Sequence, residues 1–210
     1  MYVPAHFAEQ RLDELHDLIR QYPLGILVTH GAAGLDANHL PFELLVEAGR
    51  PDRLLAHVRA QSHLAGGCRC AEVLVIFRAE DAYISPNWYP SKQETHRLVP
   101  TWNYRVVHAH GRLRIRDDAR FVRGVVARLT RTHEARLEQE KPWKMTDSSP
   151  AYIDQMLAAI VGLEIEIVRL EGKAKLSQNR ESRDLKGAAE QLRQHGQEAL
   201  ATRMLNTLGE

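Results

Sequence analysis

The sequence predicts an α+β fold dominated by an antiparallel β-sheet or barrel, with peripheral helices and a helical C-terminus. Several strand-like segments follow one another without the strand–helix alternation of a doubly wound fold. The chain has 210 residues, of which 44% are hydrophobic and 26% charged, as in ordinary globular domains. We therefore expect residues 1–210 to form a single domain with a helical tail from about residue 184.

The N-terminal half opens with a helix and continues with strands. Apolar residues at helical spacing predict a helix over residues 8–20, and Pro23 follows its end. Strands are predicted over residues 25–29, 39–46, 54–58 and 72–77. Pro41 cannot donate a hydrogen bond to a neighbouring strand, so we expect it at a sheet edge or a bulge.

Residues 85–100 interrupt this pattern. They hold three prolines, a tryptophan and a tyrosine, and show no periodicity. Ordered loops of this length are often functional. The strand pattern returns over residues 102–115, with a break predicted at Gly111.

Helices and one strand account for the remainder. Asp117 and Asp118 are placed to cap a helix with an apolar stripe, and Pro150 to start a short helix over residues 151–160. Residues 163–167 alternate strictly between apolar and charged side chains, which predicts a half-buried strand. The helical tail is expected to break at Gly196.

Composition argues against several classes of protein. With 28 basic and 27 acidic side chains, the charge gives no support to DNA as a partner. Cys68 and Cys70 form no disulfide framework, which favours a reducing cytoplasm. No apolar run approaches the roughly 20 residues that span a bilayer, and the N-terminus lacks a signal-peptide pattern. We expect a cytoplasmic protein without a membrane partner.

Three segments carry candidate binding residues. Residues 83–104 concentrate aromatic side chains, which can wall a planar ligand. In residues 57–63, Arg59 offers a planar fork suited to phosphate and Ser62 a hydroxyl donor. Residues 173–180 supply a run of lysine, serine, amide and arginine donors. For each segment, the alternative is an ordinary loop that covers the fold or faces solvent.

The eleven histidines raise the question of a metal. His108 and His110 share one face of a strand, but no third ligand follows at a recognisable spacing, so we predict no metal site. His39 and His57 fall in successive predicted strands and could instead face a ligand pocket. The sequence has no phosphate-binding glycine loop and no nucleophile elbow, so it assigns no catalytic residue.

Six motifs together carry a resemblance to a known family. They are MYVPAHF at residues 1–7, HLPF at 39–42, AHVRA at 56–60, YISPNWYPSK at 83–92, VPTWNY at 99–104 and KLSQNR at 175–180. The sequence resembles the PaiB-type family, described as FMN-binding negative transcriptional regulators. The resemblance runs from the N-terminus into the C-terminal helices. It implies an FMN-binding split β-barrel related to pyridoxamine 5′-phosphate oxidases and flavin reductases.

The resemblance also implies a homodimer with the flavin in the groove between the subunits. The implied cofactor-binding residues are His39, His57, Arg59, Ser62, His63, Asn103, Lys175 and Gln178. By this likeness residues 59–63 would hold the FMN phosphate, and His39 and Asn103 would lie near the ring or the ribityl chain. Lys175 and Gln178 would approach from the other subunit.

The implied phosphate segment departs from the family in one respect. The family usually has Ala-Arg-Ala-Asn-Pro after the histidine, whereas residues 58–62 read Val-Arg-Ala-Gln-Ser here. Arg59 is retained but the Asn-Pro turn is missing, so we expect FMN to bind more weakly.

The leading functional interpretation is a PaiB-type negative transcriptional regulator or a flavin-linked sensor. An FMN-dependent oxidoreductase or flavin reductase stays open, because the flavin itself supplies the redox chemistry. Haem binding on the same barrel is a further alternative, suggested by the histidine count. Direct DNA repression lacks a helix-turn-helix signature.

Overall fold

The computed structural model describes residues 1–32, 34–62, 64 and 71–209. The chain forms two compact units. The first unit comprises Met1–Leu18, Arg78–His108 and Glu171–Glu210, and the second comprises Ile19–Phe77 and Ala109–Leu170. The expectation of a single domain stays a prediction.

An eight-stranded sheet is the main feature of the fold. Its strands are β1 (Ala8–Glu9), β2 (Leu24–Gly31), β3 (Gly34–Pro41), β4 (Glu43–Leu45), β5 (Arg53–Arg59), β6 (Ala71–Ile84), β7 (Thr101–Arg116) and β8 (Ile160–Lys175). Hydrogen-bonded neighbours follow the order β3-β2-β6-β7-β8-β5-β4, and β1 pairs with β8. Antiparallel pairing joins β2 to β3 and β6, β5 to β4 and β8, and β1 to β8. The predicted antiparallel sheet is therefore confirmed.

Helices flank the sheet and form the C-terminus. They are α1 (Leu12–Gln21), α2 (Lys92–Thr95), α3 (Ala119–Ala135), α4 (Pro150–Ala158), α5 (Ser182–Gln194) and α6 (Glu198–Asn206), with 3₁₀ turns at Ala5–Phe7, Pro86–Trp88 and Met145–Asp147. The Asp118 carboxylate accepts the Phe121 N–H at 2.8 Å and caps α3 as predicted. Gly196 separates α5 from α6 with a φ of +76°, in the left-handed region that glycine favours. Among the described helices, none has the length and apolar character needed to cross a bilayer.

Two predicted strands differ in their details. The strand expected over residues 39–46 is divided into β3 and β4 at Phe42, whose N–H donates to the Pro23 carbonyl at 2.9 Å. Pro41 ends β3 at the edge of the sheet order, as its missing N–H predicts. The break predicted at Gly111 is wrong, since β7 continues through it. A Cβ there would lie 2.5 Å from the Glu166 backbone oxygen, so this glycine permits a close approach of two strands.

The N-terminal helix begins later than predicted. Ala8 and Glu9 pair with Lys173 and Gly172 of β8, and α1 starts at Leu12. This pairing excludes residues 8 and 9 from the helix, because their backbone groups already serve the sheet.

Each unit has its own apolar core. In the second unit the Phe42 and Phe77 rings meet edge to face at 5.7 Å, and both are buried. In the first unit one face of α5 and of α6 buries side chains against Ile84 and Tyr89. The helix side chains of this cluster are Leu185, Ala188, Ala189, Leu192, Leu200, Ala201 and Met204.

Candidate functional site

Lys175 is the last residue of β8, and the first unit holds it beside Thr101, the first residue of β7. Its ammonium donates a hydrogen bond to the Thr101 hydroxyl. Within the described part of the chain, no carboxylate pairs with it. Burial lowers the pKa of Lys175, and the positive charges of Lys173 and Arg180 add to this effect. Such a half-buried cation is suited to an anion or a ligand carbonyl.

Asn103 lies two residues after Thr101 and is fully buried. Its amide Nδ2 donates to the Ser177 hydroxyl at 2.9 Å and to the Met204 sulfur at 3.4 Å. Ser177 has a φ of +66°, so this bond holds a left-handed turn directly after β8. The Asn103 Oδ1 is buried and has no partner among the described residues. A buried acceptor of this kind calls for a donor from a ligand or a water.

Gln178 completes the turn that contains Ser177. Its Oε1 accepts the Leu176 N–H at 2.7 Å, and its Nε2 donates to the Ala174 carbonyl at 2.6 Å. The amide therefore stabilises its own turn and retains one Nε2 hydrogen for another acceptor. The structure thus brings Asn103, Lys175 and Gln178 together around the end of β8.

The two predicted histidines of the second unit occupy different environments. His39 is exposed on β3, whereas His57 is half-buried on β5. The β3 and β5 strands are not neighbours in the sheet order, so the two histidines do not share a strand pair. Burial lowers the pKa of His57, and its buried Nδ1 has no partner within the described residues. His57 therefore offers a neutral ring with one nitrogen still to be satisfied.

Arg59 ends β5 and is exposed, and its guanidinium has no partner in the described part of the chain. The backbone beyond it is largely engaged. The Ala60 N–H donates a hydrogen bond to the Ala159 carbonyl at 3.0 Å, and the Ser62 N–H donates one to the Arg59 carbonyl at 2.9 Å. The Ser62 hydroxyl accepts the Leu64 N–H at 3.3 Å and keeps its own proton to donate. Phosphate binding at this turn would therefore depend mainly on the side chains of Arg59 and Ser62.

His63 lies outside the described residues, and so do Cys68 and Cys70.

The aromatic segment that follows β6 is fixed to α5. The buried Asp184 carboxylate accepts the Ser91 N–H at 2.9 Å and the Ser91 hydroxyl at 2.6 Å. Tyr89 is buried in the core, as expected if this segment is an ordinary loop that covers the fold. Tyr83 and Trp102 instead form an exposed edge-to-face pair at 6.1 Å, with surface free for stacking on a planar group.

Sequence reasoning did not single out Thr101 or Asp184. Thr101 lies in the VPTWNY motif and shares the strand face of Asn103, since side chains two residues apart point the same way. That spacing could have indicated it. Asp184 was expected only to start a helix, and its bond to Ser91 spans 93 residues, for which the sequence has no local signal.

The donors and acceptors of each unit, considered separately, suit one part of a flavin nucleotide. Arg59 and Ser62 supply a cation and a hydroxyl suited to a phosphate. Lys175 and the unpartnered Asn103 oxygen supply a donor and an acceptor, which match the carbonyl and N–H edge of an isoalloxazine ring.

The fold is the split β-barrel that is found in flavin-binding proteins. The FAD and heme binding protein of Mycobacterium smegmatis has the same fold, with a TM-score of 0.54 and 19% identity over 80% of this chain and 73% of that chain. The family described as "Putative FMN-binding domain" matches residues 1–169, and the chain belongs to this family. The predicted family, fold and FMN cofactor are confirmed.

Two curated relatives are similar over much of their length. An uncharacterized protein of Saccharomyces cerevisiae is 33% identical over 154 residues, which are 64% of this chain and 90% of the relative. The protease synthase and sporulation protein PAI 2 of Bacillus subtilis is 28% identical over 91% of this chain and 89% of its own. The second relative agrees with the PaiB-type resemblance of the six motifs.

Proposed function

We propose that this protein is a homodimeric, cytoplasmic flavin-linked sensor that acts as a negative transcriptional regulator, with FMN at the subunit interface. The half-buried Lys175 is the main support, because its ammonium has no carboxylate partner among the described residues. A partly desolvated cation is stabilised by a bound anion or carbonyl. When bound, FMN supplies a ring that accepts and releases electrons.

The proposed binding divides the residues between the two subunits. Arg59 and Ser62 of one subunit bind the phosphate, for which they offer a hydroxyl proton and a guanidinium that has no partner among the described residues. Lys175, Asn103 and Gln178 of the other subunit bind the ring edge through the ammonium, the free amide oxygen and the remaining amide hydrogen.

His39 and His57 are proposed to lie beside the ring or the ribityl chain. His57 is neutral in the folded protein at neutral pH, because burial lowers its pKa. A neutral imidazole can donate or accept a hydrogen bond, and so it can satisfy either a ribityl hydroxyl or a ring nitrogen.

Titration of the purified protein with FMN, followed by flavin fluorescence and the visible spectrum, tests the binding site. We expect Lys175→Met and Arg59→Ala each to weaken FMN binding by about tenfold or more, since each removes a charge-assisted hydrogen bond. Lys186→Met and Arg114→Ala are the matched controls, because both side chains are exposed and neither is among the residues proposed to bind FMN. Absence of binding at tens of micromolar FMN, or equal weakening in the controls, would contradict the proposal.

The homodimer is tested by its stoichiometry. Sedimentation equilibrium should give twice the monomer mass, and a mixture of Arg59→Ala and Lys175→Met chains should regain intact sites. If the two residues act across the subunits, each mixed dimer keeps one binding site in which both residues are native, while its other site lacks both. If mixing restores no FMN binding, these two residues do not act across a dimer interface.

Separate assays distinguish regulation from the alternative functions. Binding of the protein to DNA from its own promoter at low salt would support the regulatory proposal if reduction of the flavin changes that binding. Steady NAD(P)H consumption with FMN, without any DNA or regulatory effect, would indicate an oxidoreductase instead. A Soret band on haem titration that His39→Ala or His57→Ala abolishes would indicate a haem protein.

A further inference from the structure

A cleft of about 580 Å³ lies wholly within the first unit. The N-terminal segment through α1, the first part of β7, the end of β8 and the C-terminal part of α6 form its walls. This volume falls in the range of pockets that bind small organic molecules. Among the predicted cofactor-binding residues, only Gln178 lines the described cleft, and its amide is engaged with its own turn.

A buried arginine at this cleft has an unsatisfied donor. Arg105 on β7 is 6% exposed, and its Nη2 donates to both carboxylate oxygens of Glu80, at 3.0 and 2.9 Å. Its Nε–H is buried and has no partner among the described residues. Because buried donors are normally satisfied, this group calls for an acceptor other than the described residues, such as a ligand or a water.

Two further cations line the same cleft. Lys173 donates to the Tyr2 carbonyl at 3.2 Å and lies 5.5 Å from the Tyr104 ring centre, but within the described residues no carboxylate pairs with it. Arg203 reaches Glu14 only at 3.4 Å. Arg11 is the fourth basic side chain of the lining and pairs with Glu9 at 2.7 Å, and Arg105 pairs with Glu80, so Lys173 is the cation that most favours an anion here.

Apolar residues form part of the remaining wall. Leu15, Leu18, Val106 and Leu176 contribute side chains, and Leu15, Leu18 and Leu176 are at most 5% exposed in the folded chain. A ligand that fits both parts carries an oxyanion on an apolar body. Small pockets of this composition orient a ligand through a few polar groups and bury its apolar part.

We propose that this cleft is a second ligand site, which binds a small organic anion with a carboxylate or phosphate group on an apolar body. The oxyanion accepts hydrogen bonds from Lys173, Arg203 and the Arg105 Nε–H, and the apolar body packs against the leucines. Gln178 belongs to both this cleft and the proposed flavin site, but the anion contacts proposed here do not use its amide, so the site can be tested whether or not FMN binds.

Calorimetric titration with three matched probes tests this site. Benzoate and phenyl phosphate carry the two kinds of oxyanion on the same ring, and benzamide is the neutral counterpart of benzoate. We expect one or both anions to bind, benzamide to bind at least about tenfold more weakly, and binding to persist in the presence of saturating FMN. The better of the two anions identifies the oxyanion that the site prefers.

Variants assign the binding to the cleft. Lys173→Met removes the charge and keeps the apolar stem, and we expect it to weaken the anion by about tenfold or more, with Lys173→Arg restoring most of the affinity. Lys186→Met is the control, and circular dichroism verifies that each variant is folded. Equal binding of benzamide, displacement of the anion by FMN, equal weakening by the control, or no anion binding at millimolar concentration would each overturn the proposal.

Discussion

Glu164 on β8 offers the sharpest test of how the second unit is stabilised. Its carboxylate is buried and accepts hydrogen bonds from Arg53 Nη1 and Arg116 Nη1, each at 2.7 Å. Replacement by glutamine keeps the size of the side chain and removes the charge. The amide oxygen of the variant can still accept from one guanidinium, but its NH₂ group faces the donors of the other.

The expected loss of stability follows from these contacts. A hydrogen bond to a charged group contributes about 1.5–3 kcal/mol, so two such bonds set an upper range of about 3–6 kcal/mol. One bond can survive in part, and the Arg53 and Arg116 side chains are 24% and 40% exposed, so water replaces some of the lost interaction. We therefore expect Glu164→Gln to lower the free energy of unfolding by about 2–4 kcal/mol.

The pH dependence gives this prediction a direction. Burial alone would raise the pKa of Glu164, but the hydrogen bonds from Arg53 and Arg116 outweigh it and hold the pKa below its usual range. A lowered pKa in the folded state gives stability above the carboxyl pKa of the unfolded chain, and this stability is lost as the pH falls through the folded value. The difference between wild type and Glu164→Gln should therefore be largest near neutral pH and shrink in acid.

Urea unfolding followed by circular dichroism, at neutral and at acidic pH, measures both effects. Glu166→Gln is the matched control, because Glu166 lies on the same strand and faces Arg53 across it, but accepts neither of these two hydrogen bonds. A loss below about half a kcal/mol at neutral pH, within the range of ordinary surface changes, would refute the reasoning. A difference that grows on acidification would refute it as well.

Three further predictions use the same unfolding assay. Gly111→Ala should destabilise by more than about 2 kcal/mol, since its Cβ would meet a neighbouring backbone oxygen at 2.5 Å, whereas Gly124→Ala in open space on α3 should stabilise by up to about 1 kcal/mol. Asp184→Ala should cost about 2–4 kcal/mol, because it removes two hydrogen bonds to Ser91 and leaves a buried N–H unsatisfied; a neutral result would show that the segment is held by other contacts. Burial lowers the pKa of His57, so the folded protein loses stability as the pH falls from the histidine pKa of the unfolded chain through the lower pKa of the folded chain. His57→Leu should therefore lose less stability than wild type on mild acidification.

Local signals predicted much of the fold. The cap at Asp118, the edge position of Pro41 and the break at Gly196 were each readable from one residue and its neighbours. These features depend on backbone conformation and on missing donors, which act within a few residues. The break predicted at Gly111 was wrong because a glycine within a strand pattern indicates either a strand break or a close approach between strands, and the local sequence does not distinguish the two.

Features set by distant residues could not be predicted. Strict alternation placed Glu164 on a solvent-facing side, but it is buried because Arg53, 111 positions away in sequence, supplies a partner. The Asn103 bond to Ser177 spans 74 positions, so the motifs indicated these residues without showing that they meet. Long-range pairing decides burial here, and sequence periodicity carries no information about it.

The core formed by α5 and α6 limits where the chain can be truncated. The match to the FMN-binding domain ends at residue 169, yet the leucines that shield Ile84 and Tyr89 all come later in the chain. A shortened protein that stops at that limit would leave these two side chains in water and would also lack Lys175. The limit of the matched domain and the limit of the residues that complete this core are therefore different.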